Sequence, residues 1–124
     1  MTELRVGVIG LGVGSKHIAA YQAHQSAKVV KICDINNERL QDVVREYPEI
    51  DGVCDSNEIL DDNGVDVVSI ASYDNYHCEQ IIQALNNGKH VYVEKPMCLF
   101  DNEAKSVRNL LNLKPELQLS SNLV

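Results

Sequence analysis

No apolar run in this 124-residue chain approaches the ~20 residues needed to cross a bilayer as a helix, so a membrane partner is not expected. Basic residues are scarce: eleven Lys and Arg stand against eighteen Asp and Glu, a formal charge of −7. Binding along a nucleic-acid backbone relies on clustered cations, so nucleic acid is set aside as a partner too. The first residues, Met1-Thr2-Glu3-Leu4-Arg5, lack a basic stretch followed by a long apolar one. No export signal is read there, and a cytoplasmic protein is expected. The four cysteines, Cys33, Cys54, Cys78 and Cys98, form no C-x-x-C pair, which argues against a zinc knuckle or a redox dithiol. They read as reduced thiols, and no metal site is expected. Cys78 directly follows His77, but neighbours on a helix point about 100° apart, a poor arrangement for a nucleophile and its base.

What is present is an ordinary globular composition, 44% hydrophobic and 23% charged, at the size of one domain. Apolar segments alternate between two periods along the whole length. Leu4–Ile9, Val29–Cys33, Val65–Ala71 and His90–Val93 are short, β-branched and nearly continuous, as strands covered on both faces should be. Val53 and Cys54 mark a weaker strand, and Leu117–Leu123 reads as a sixth. Between them lie helical stripes: Ile18, Ala19, Tyr21 and Ala23; Leu40, Val43, Val44 and Tyr47, stopped by Pro48; and His77, Ile81 and Leu85, with Gly88 placed for a left-handed stop. A short helix is read from Ser56 to Asp62, with Ile59 and Leu60 inward. Asp101 is placed to cap a last helix carrying Ala104, Val107, Leu110 and Leu111. Strand–helix alternation on this beat predicts an α/β fold, a doubly wound parallel sheet of about six strands. The sequence stops on a strand with nothing after it. The expectation is one domain over residues 1–124, with a following domain absent, and exposed apolar surface that favours a dimer or other homo-oligomer.

Four of the seven glycines fall between residues 7 and 14. Gly10-Leu11-Gly12-Val13-Gly14-Ser15 leaves the first strand and opens the first helix, the context in which a glycine loop cradles a diphosphate. Gly10 permits the sharp turn, and Gly12 lets the backbone approach the phosphates. The spacing is G-x-G-x-G, with Ser15 where G-x-G-x-x-G has its third glycine. Ser15 is small enough for helix–strand contact, and its hydroxyl is a candidate phosphate donor. The loop from Gly10 to Ser15, Val13 included, is therefore the first candidate cofactor site. Asp34 closes the second strand, 24 residues after Gly10. An acid there accepts hydrogen bonds from ribose hydroxyls and repels a 2′-phosphate, favouring NAD over NADP, although Arg39 lies within reach of a phosphate. Class I methyltransferases share the G-x-G-x-G and the acid, to hold S-adenosylmethionine. These two features leave both readings open.

Ligands of doubly wound sheets sit beyond the carboxyl ends of the strands, so the polar residues there carry weight. Ser72-Tyr73-Asp74-Asn75-Tyr76-His77 follows the fourth strand, and Glu94-Lys95-Pro96 follows the fifth. With Gly88-Lys89-His90-Val91 just before, the sequence resembles the cofactor domain of the glucose–fructose oxidoreductase, inositol dehydrogenase and rhizopine catabolism (Gfo/Idh/MocA) family. The similarity covers nearly the whole chain. Its most specific stretch, G-K-H-V-x-x-E-K-P, argues against a methyltransferase.

That resemblance implies a Rossmann domain of an NAD(P)-dependent oxidoreductase acting on CH–OH groups of sugars, nucleotide sugars or cyclitols. It implies that Lys95 reaches the reacting hydroxyl or carbonyl, where its charge stabilises a developing alkoxide. It places Glu94 near the nicotinamide ribose, and Asn75 and His77 at the same end of the cofactor, with Ser72 and Tyr73 beside them. Tyr73 departs from the Thr or Pro common at its position. The resemblance also implies a second, C-terminal domain that supplies most substrate contacts, without which the chain binds cofactor but turns nothing over. A stand-alone NAD-sensing module is the alternative. His17, His24 and His90 are assigned no role.

Overall fold

A computed structural model describes residues 3–122. Its six strands run β1 (Leu4–Ile9), β2 (Ala27–Cys33), β3 (Asp51–Val53), β4 (Val67–Ile70), β5 (His90–Val93) and β6 (Leu119–Ser121). All pairings are parallel, in the order β3-β2-β1-β4-β5-β6. The chain starts in the middle, winds out to β3, then crosses back to β4 on the other side of β1. This reversal leaves a crevice above the carboxyl ends of β1 and β4, where no crossover covers the sheet.

Five helices cover the sheet: α1 (Gly14–Gln22), α2 (Asn37–Glu46), the short α3 (Asn57–Leu60), α4 (His77–Asn86) and α5 (Asp101–Leu113). They divide the core in two. Val6, Val8, Ile18, Val29, Ile32, Leu40 and Val43 pack on the α1–α2 face. Ile9, Cys33, Ile59, Leu60, Val68, Ile70, Ile81, Leu85, Val91 and Val93 pack on the other. A register shift in the β1–β2 pairing passes over Val30, so Val29 and Ile32 share one face although three residues apart. Just past the bulge, Lys31 holds its ammonium 2.8 Å from the Asp62 carboxylate.

Strand β4 is shorter than the apolar run 65–71, and β6 shorter than 117–123; of the latter, Leu123 lies outside the described residues. Two local readings are corrected. Asp101 does not cap α5 but begins it; the Glu103 carboxylate instead accepts the backbone N–H groups of Leu99 and Phe100 at 2.9 and 3.2 Å. The inward stripe of α1 is not Ile18, Ala19, Tyr21 and Ala23, since Ala19 and Ala23 are exposed. It is Gly14, His17, Ile18 and Tyr21, an i, i+3, i+4, i+7 set. Gly88 ends α4 at φ +75°, as its position suggested. No helix among the described residues is long and apolar enough to cross a membrane.

Candidate functional site

The crevice over β1 and β4 is a cleft of about 590 Å³, lined by Gly10, Gly12, Val13, Asp34, Ser72 and Tyr73 among others. Gly10 makes the turn out of β1 at φ +89°, and a β-carbon there would lie 2.4 Å from the Ala71 carbonyl oxygen. No other residue fits. Around the position of a Gly12 β-carbon only the Arg39 guanidinium comes within 4 Å, at 3.6 Å, so the loop leaves open space above the helix tip. No side chain caps the start of α1, whose first N–H groups point toward that space. Backbone donors, a positive helix end and room beside them are what a diphosphate requires.

The third glycine of the loop is Gly14. A β-carbon on it would come within 3.0 Å of Val8 Cγ1 and 3.5 Å of the Ala71 β-carbon. The close helix–strand contact is therefore made by Gly14, one residue earlier than G-x-G-x-x-G would place it, and not by Ser15. The Ser15 hydroxyl donates to the Gly12 carbonyl at 3.0 Å, bracing the loop from within.

Asp34 is buried at the carboxyl end of β2 and faces the loop. One carboxylate oxygen accepts the Leu11 N–H at 2.9 Å; the other accepts the Asn36 N–H at 2.8 Å. Arg39 approaches the same carboxylate at 3.5 Å. Asp55 also lines this part of the cleft, so acidic groups outnumber the one arginine there. Of the eight large hydrophobic side chains left exposed among the described residues, Val13, Ile35, Tyr73 and Tyr76 line this cleft. Apolar surface gathered at a concave site marks ligand contact.

At the β4 end, the Ser72 hydroxyl donates to Gln80 Oε1 at 2.6 Å, and Tyr73 projects into solvent, 61% exposed. His77 is almost wholly buried, with Nδ1 2.7 Å from the Pro96 carbonyl and Nε2 2.9 Å from that of Ser72. Its ring thus ties the loop after β4 to the turn after β5, rather than opening onto the cleft. Asn75 lies exposed in a 3-10 turn just before α4. Glu94 and Lys95 leave β5 at the same end of the sheet. The Lys95 side chain is exposed, and the Lys95–Pro96 peptide is cis.

One residue at this end was not expected. His17 reaches from α1 across the sheet to Glu94, its Nε2 2.7 Å from Oε1, and its Nδ1 lies 2.7 Å from Ser69 Oγ. Its ring packs edge-on against Tyr92 at 5.3 Å. The signal was in the sequence, since His17 stands one helical turn after Gly14 on the inward stripe. Burial raises the Glu94 carboxyl, but hydrogen bonds from His17 and Asn122 outweigh it and hold the group below its ordinary value.

A second hollow, about 330 Å³, lies at the opposite end of the sheet by Arg5, Asp66, Lys89 and His90. Its charges serve the fold. Arg5 grips Asp66 through two nitrogens, each at 3.1 Å, and buried Lys89 donates to the Asp62 and Val65 carbonyls at 2.6 and 2.9 Å.

Comparison with known proteins decides the family. Residues 4–120 match the family model of the Gfo/Idh/MocA oxidoreductases, described as an oxidoreductase family with an NAD-binding Rossmann fold. The chain belongs to this family. It is similar to the myo-inositol 2-dehydrogenase of Thermotoga maritima, with 33% identity over 97 residues, covering 77% of this chain and 29% of that protein. It is also similar to the NAD(+)-dependent scyllo-inositol 2-dehydrogenase of Bacillus subtilis, with 35% identity over 106 residues, covering 84% of this chain and 31% of that protein. Among solved structures, scyllo-inositol dehydrogenase from Lactobacillus casei with bound NAD(H) and scyllo-inositol superposes with a TM-score of 0.89 at 26% identity. That match covers 98% of this chain and 36% of the other. The chain thus corresponds to the NAD-binding domain of the Gfo/Idh/MocA oxidoreductases and spans about a third of the length of these relatives. The methyltransferase reading is closed.

Proposed function

We propose that this chain holds NAD along the crevice from Asp34 to Lys95, as the cofactor half of a dehydrogenase that oxidises a CH–OH group of a cyclitol or related sugar. The observation that carries the reading is the diphosphate cradle: an open glycine turn and an uncapped helix tip, with Asp34 hydrogen-bonded to the loop itself.

The residues fit the cofactor piece by piece. The α1 tip and the backbone of Gly12, Val13 and Gly14 receive the diphosphate, with Ser15 stiffening the turn. Asp34 retains lone pairs for the adenosine ribose hydroxyls, and the acidic pair of Asp34 and Asp55 disfavours the 2′-phosphate of NADP. Exposed Ile35 and Tyr73 offer apolar walls to the bases. Ser72, Asn75, His77 and Glu94 form or brace the nicotinamide end. NAD, when bound, supplies the hydride acceptor. The Lys95 ammonium, at the open end of the site, stabilises the alkoxide that develops as the substrate hydroxyl gives its proton to a base that the second domain would supply. Removing one such stabilising donor costs roughly 10²–10³ in rate.

The substrate class rests on the two inositol dehydrogenases to which the sequence is similar. A second domain, C-terminal to residue 124, would complete the substrate site in a cytoplasmic homo-oligomer. The exposed Phe100 and Leu113 are surface for such an association. The test is turnover of NAD+ with myo- and scyllo-inositol by the protein carrying that domain. Reduction of NAD+ that falls at least about 10²-fold in Lys95→Met supports the reading. Tight NAD+ binding without turnover of any cyclitol or sugar would favour a regulatory module instead.

A further inference from the structure

His17 is the residue the proposed function does not use. It sits on α1, the helix that carries the diphosphate cradle at its tip, yet its side chain ends at the opposite, β5 side of the crevice. Four side chains join in a line across the α1 face of the sheet. The Tyr21 hydroxyl donates to Ser69 Oγ at 3.3 Å; Ser69 Oγ lies 2.7 Å from His17 Nδ1; His17 Nε2 lies 2.7 Å from Glu94 Oε1. With Ser69 already accepting from Tyr21, its own proton is free to go to Nδ1. That arrangement leaves Nε2 as the protonated nitrogen, aimed at the carboxylate. Ser69 is fully buried, and a serine pointing into an otherwise apolar strand face has no other purpose visible in the fold.

Glu94 is held from the other side as well, since Asn122 Nδ2 donates to Oε2 at 3.0 Å. Its backbone N–H donates to the Ile70 carbonyl at 2.8 Å. The carboxylate is therefore fixed in position before any ligand arrives, and Lys95 leaves the strand from the next residue.

We propose that His17 is a positioning residue: oriented by Ser69, its Nε2–H fixes the Glu94 carboxylate, and with it the Glu94–Lys95 turn, where they meet the nicotinamide half of the cofactor. This rests on the reading of the crevice as an NAD site. Helix α1 then serves both halves of the cofactor, its tip at the diphosphate and its third residue after the tip at the nicotinamide side. The adenosine half of the site, bounded by Asp34, does not depend on His17.

The experiment compares NAD+ with ADP, which lacks the nicotinamide and its ribose, on the unaltered chain and on His17→Ala and His17→Gln. Calorimetry reads both affinities, and carbon-13 NMR reads the titration of the Glu94 carboxyl. In His17→Ala, the ratio of NAD+ to ADP affinity is expected to fall about tenfold, the order of one charge-assisted hydrogen bond. ADP affinity stays within about twofold, and the Glu94 midpoint moves up. Gln at position 17 keeps a donor for Glu94 and an acceptor for Ser69, so His17→Gln recovers most of the ratio. An unchanged ratio with an unmoved Glu94 midpoint overturns the proposal, and so does an equal loss of both ligands. Should His17→Ala fail to fold, Ser69→Ala keeps the imidazole and removes what orients it. It must move both readouts in the same direction, or the proposal falls. If the unaltered chain binds neither ligand, the NAD reading itself fails, while the Glu94 titration still decides whether His17 holds the carboxylate.

Discussion

The Asp34 carboxylate accepts the backbone N–H of Leu11 at 2.9 Å, joining the acid at the end of β2 to the glycine loop at the end of β1. One side chain thus shapes the glycine turn and, in the proposed NAD site, faces the adenosine ribose. Asp34→Ala is expected to free the Leu11 amide, so that its hydrogen exchange accelerates. It should lower stability by about 1–3 kcal/mol, chiefly because the buried Leu11 N–H loses its acceptor. Asp34→Asn keeps one carbonyl oxygen and should fall between. Amide exchange and urea unfolding measure both effects, and unchanged protection at Leu11 would separate the loop from the acid.

Gly10 and Gly14 are predicted to differ in kind. Gly10→Ala combines a positive φ with a β-carbon 2.4 Å from a backbone oxygen, which cannot move aside. A cost of about 2 kcal/mol or more is expected, with loss of the turn. Gly14→Ala meets Val8 Cγ1 at 3.0 Å, a methyl group that can give by a few tenths of an ångström. Its cost should be about 1 kcal/mol, with binding reduced because α1 shifts off the sheet. Thermal unfolding of the two variants tests the order.

Lys89 belongs to the stretch on which the family resemblance chiefly rests, yet it lies far from the crevice. Burial lowers its pKa while the neighbouring Asp62 and Asp66 oppose this, and its ammonium satisfies two carbonyls. Lys89→Met should destabilise by about 1–3 kcal/mol by leaving those oxygens without their donor. NAD+ affinity of the folded fraction should not change. A selective loss of binding would contradict the structural assignment.

Acid stability should depend on two carboxylates at the same end. Asp62 is held below its ordinary pKa, first by the hydrogen bond from Lys31, and Asp66 first by the one from Arg5. A carboxyl whose folded pKa is depressed binds fewer protons folded than unfolded, so its contribution is complete above the unfolded value near 4. It is lost as pH falls through the lower folded value. Unfolding by urea between pH 5 and 2 should show this decline, and Lys31→Met should flatten part of it.

The sheet and its order of elements were legible because the code for them is local. Near-continuous β-branched runs marked the strands, and Gly10 and Gly88 marked a turn and a helix stop that only positive φ satisfies. Asp34 and the loop were legible for the same reason, a fixed distance along the chain. What was not legible came from tertiary contact. The bulge at Val30 changes which residues of β2 face α1, and nothing in the sequence of β2 announces it. Gly14 was passed over for Ser15 because spacing was read in place of packing against Val8. His17 was assigned no role and Ser69 was not singled out. Only the sheet brings them together, 52 residues apart, and sets them against Glu94.

The most direct measurement is a calorimetric titration of NAD+ into this chain, beside Asp34→Ala and with S-adenosylmethionine as the control ligand. The account predicts saturable binding at one site, weakened about tenfold or more by Asp34→Ala, and no saturable heat from S-adenosylmethionine. Absence of saturable NAD+ binding, or equal affinity in Asp34→Ala, would contradict it.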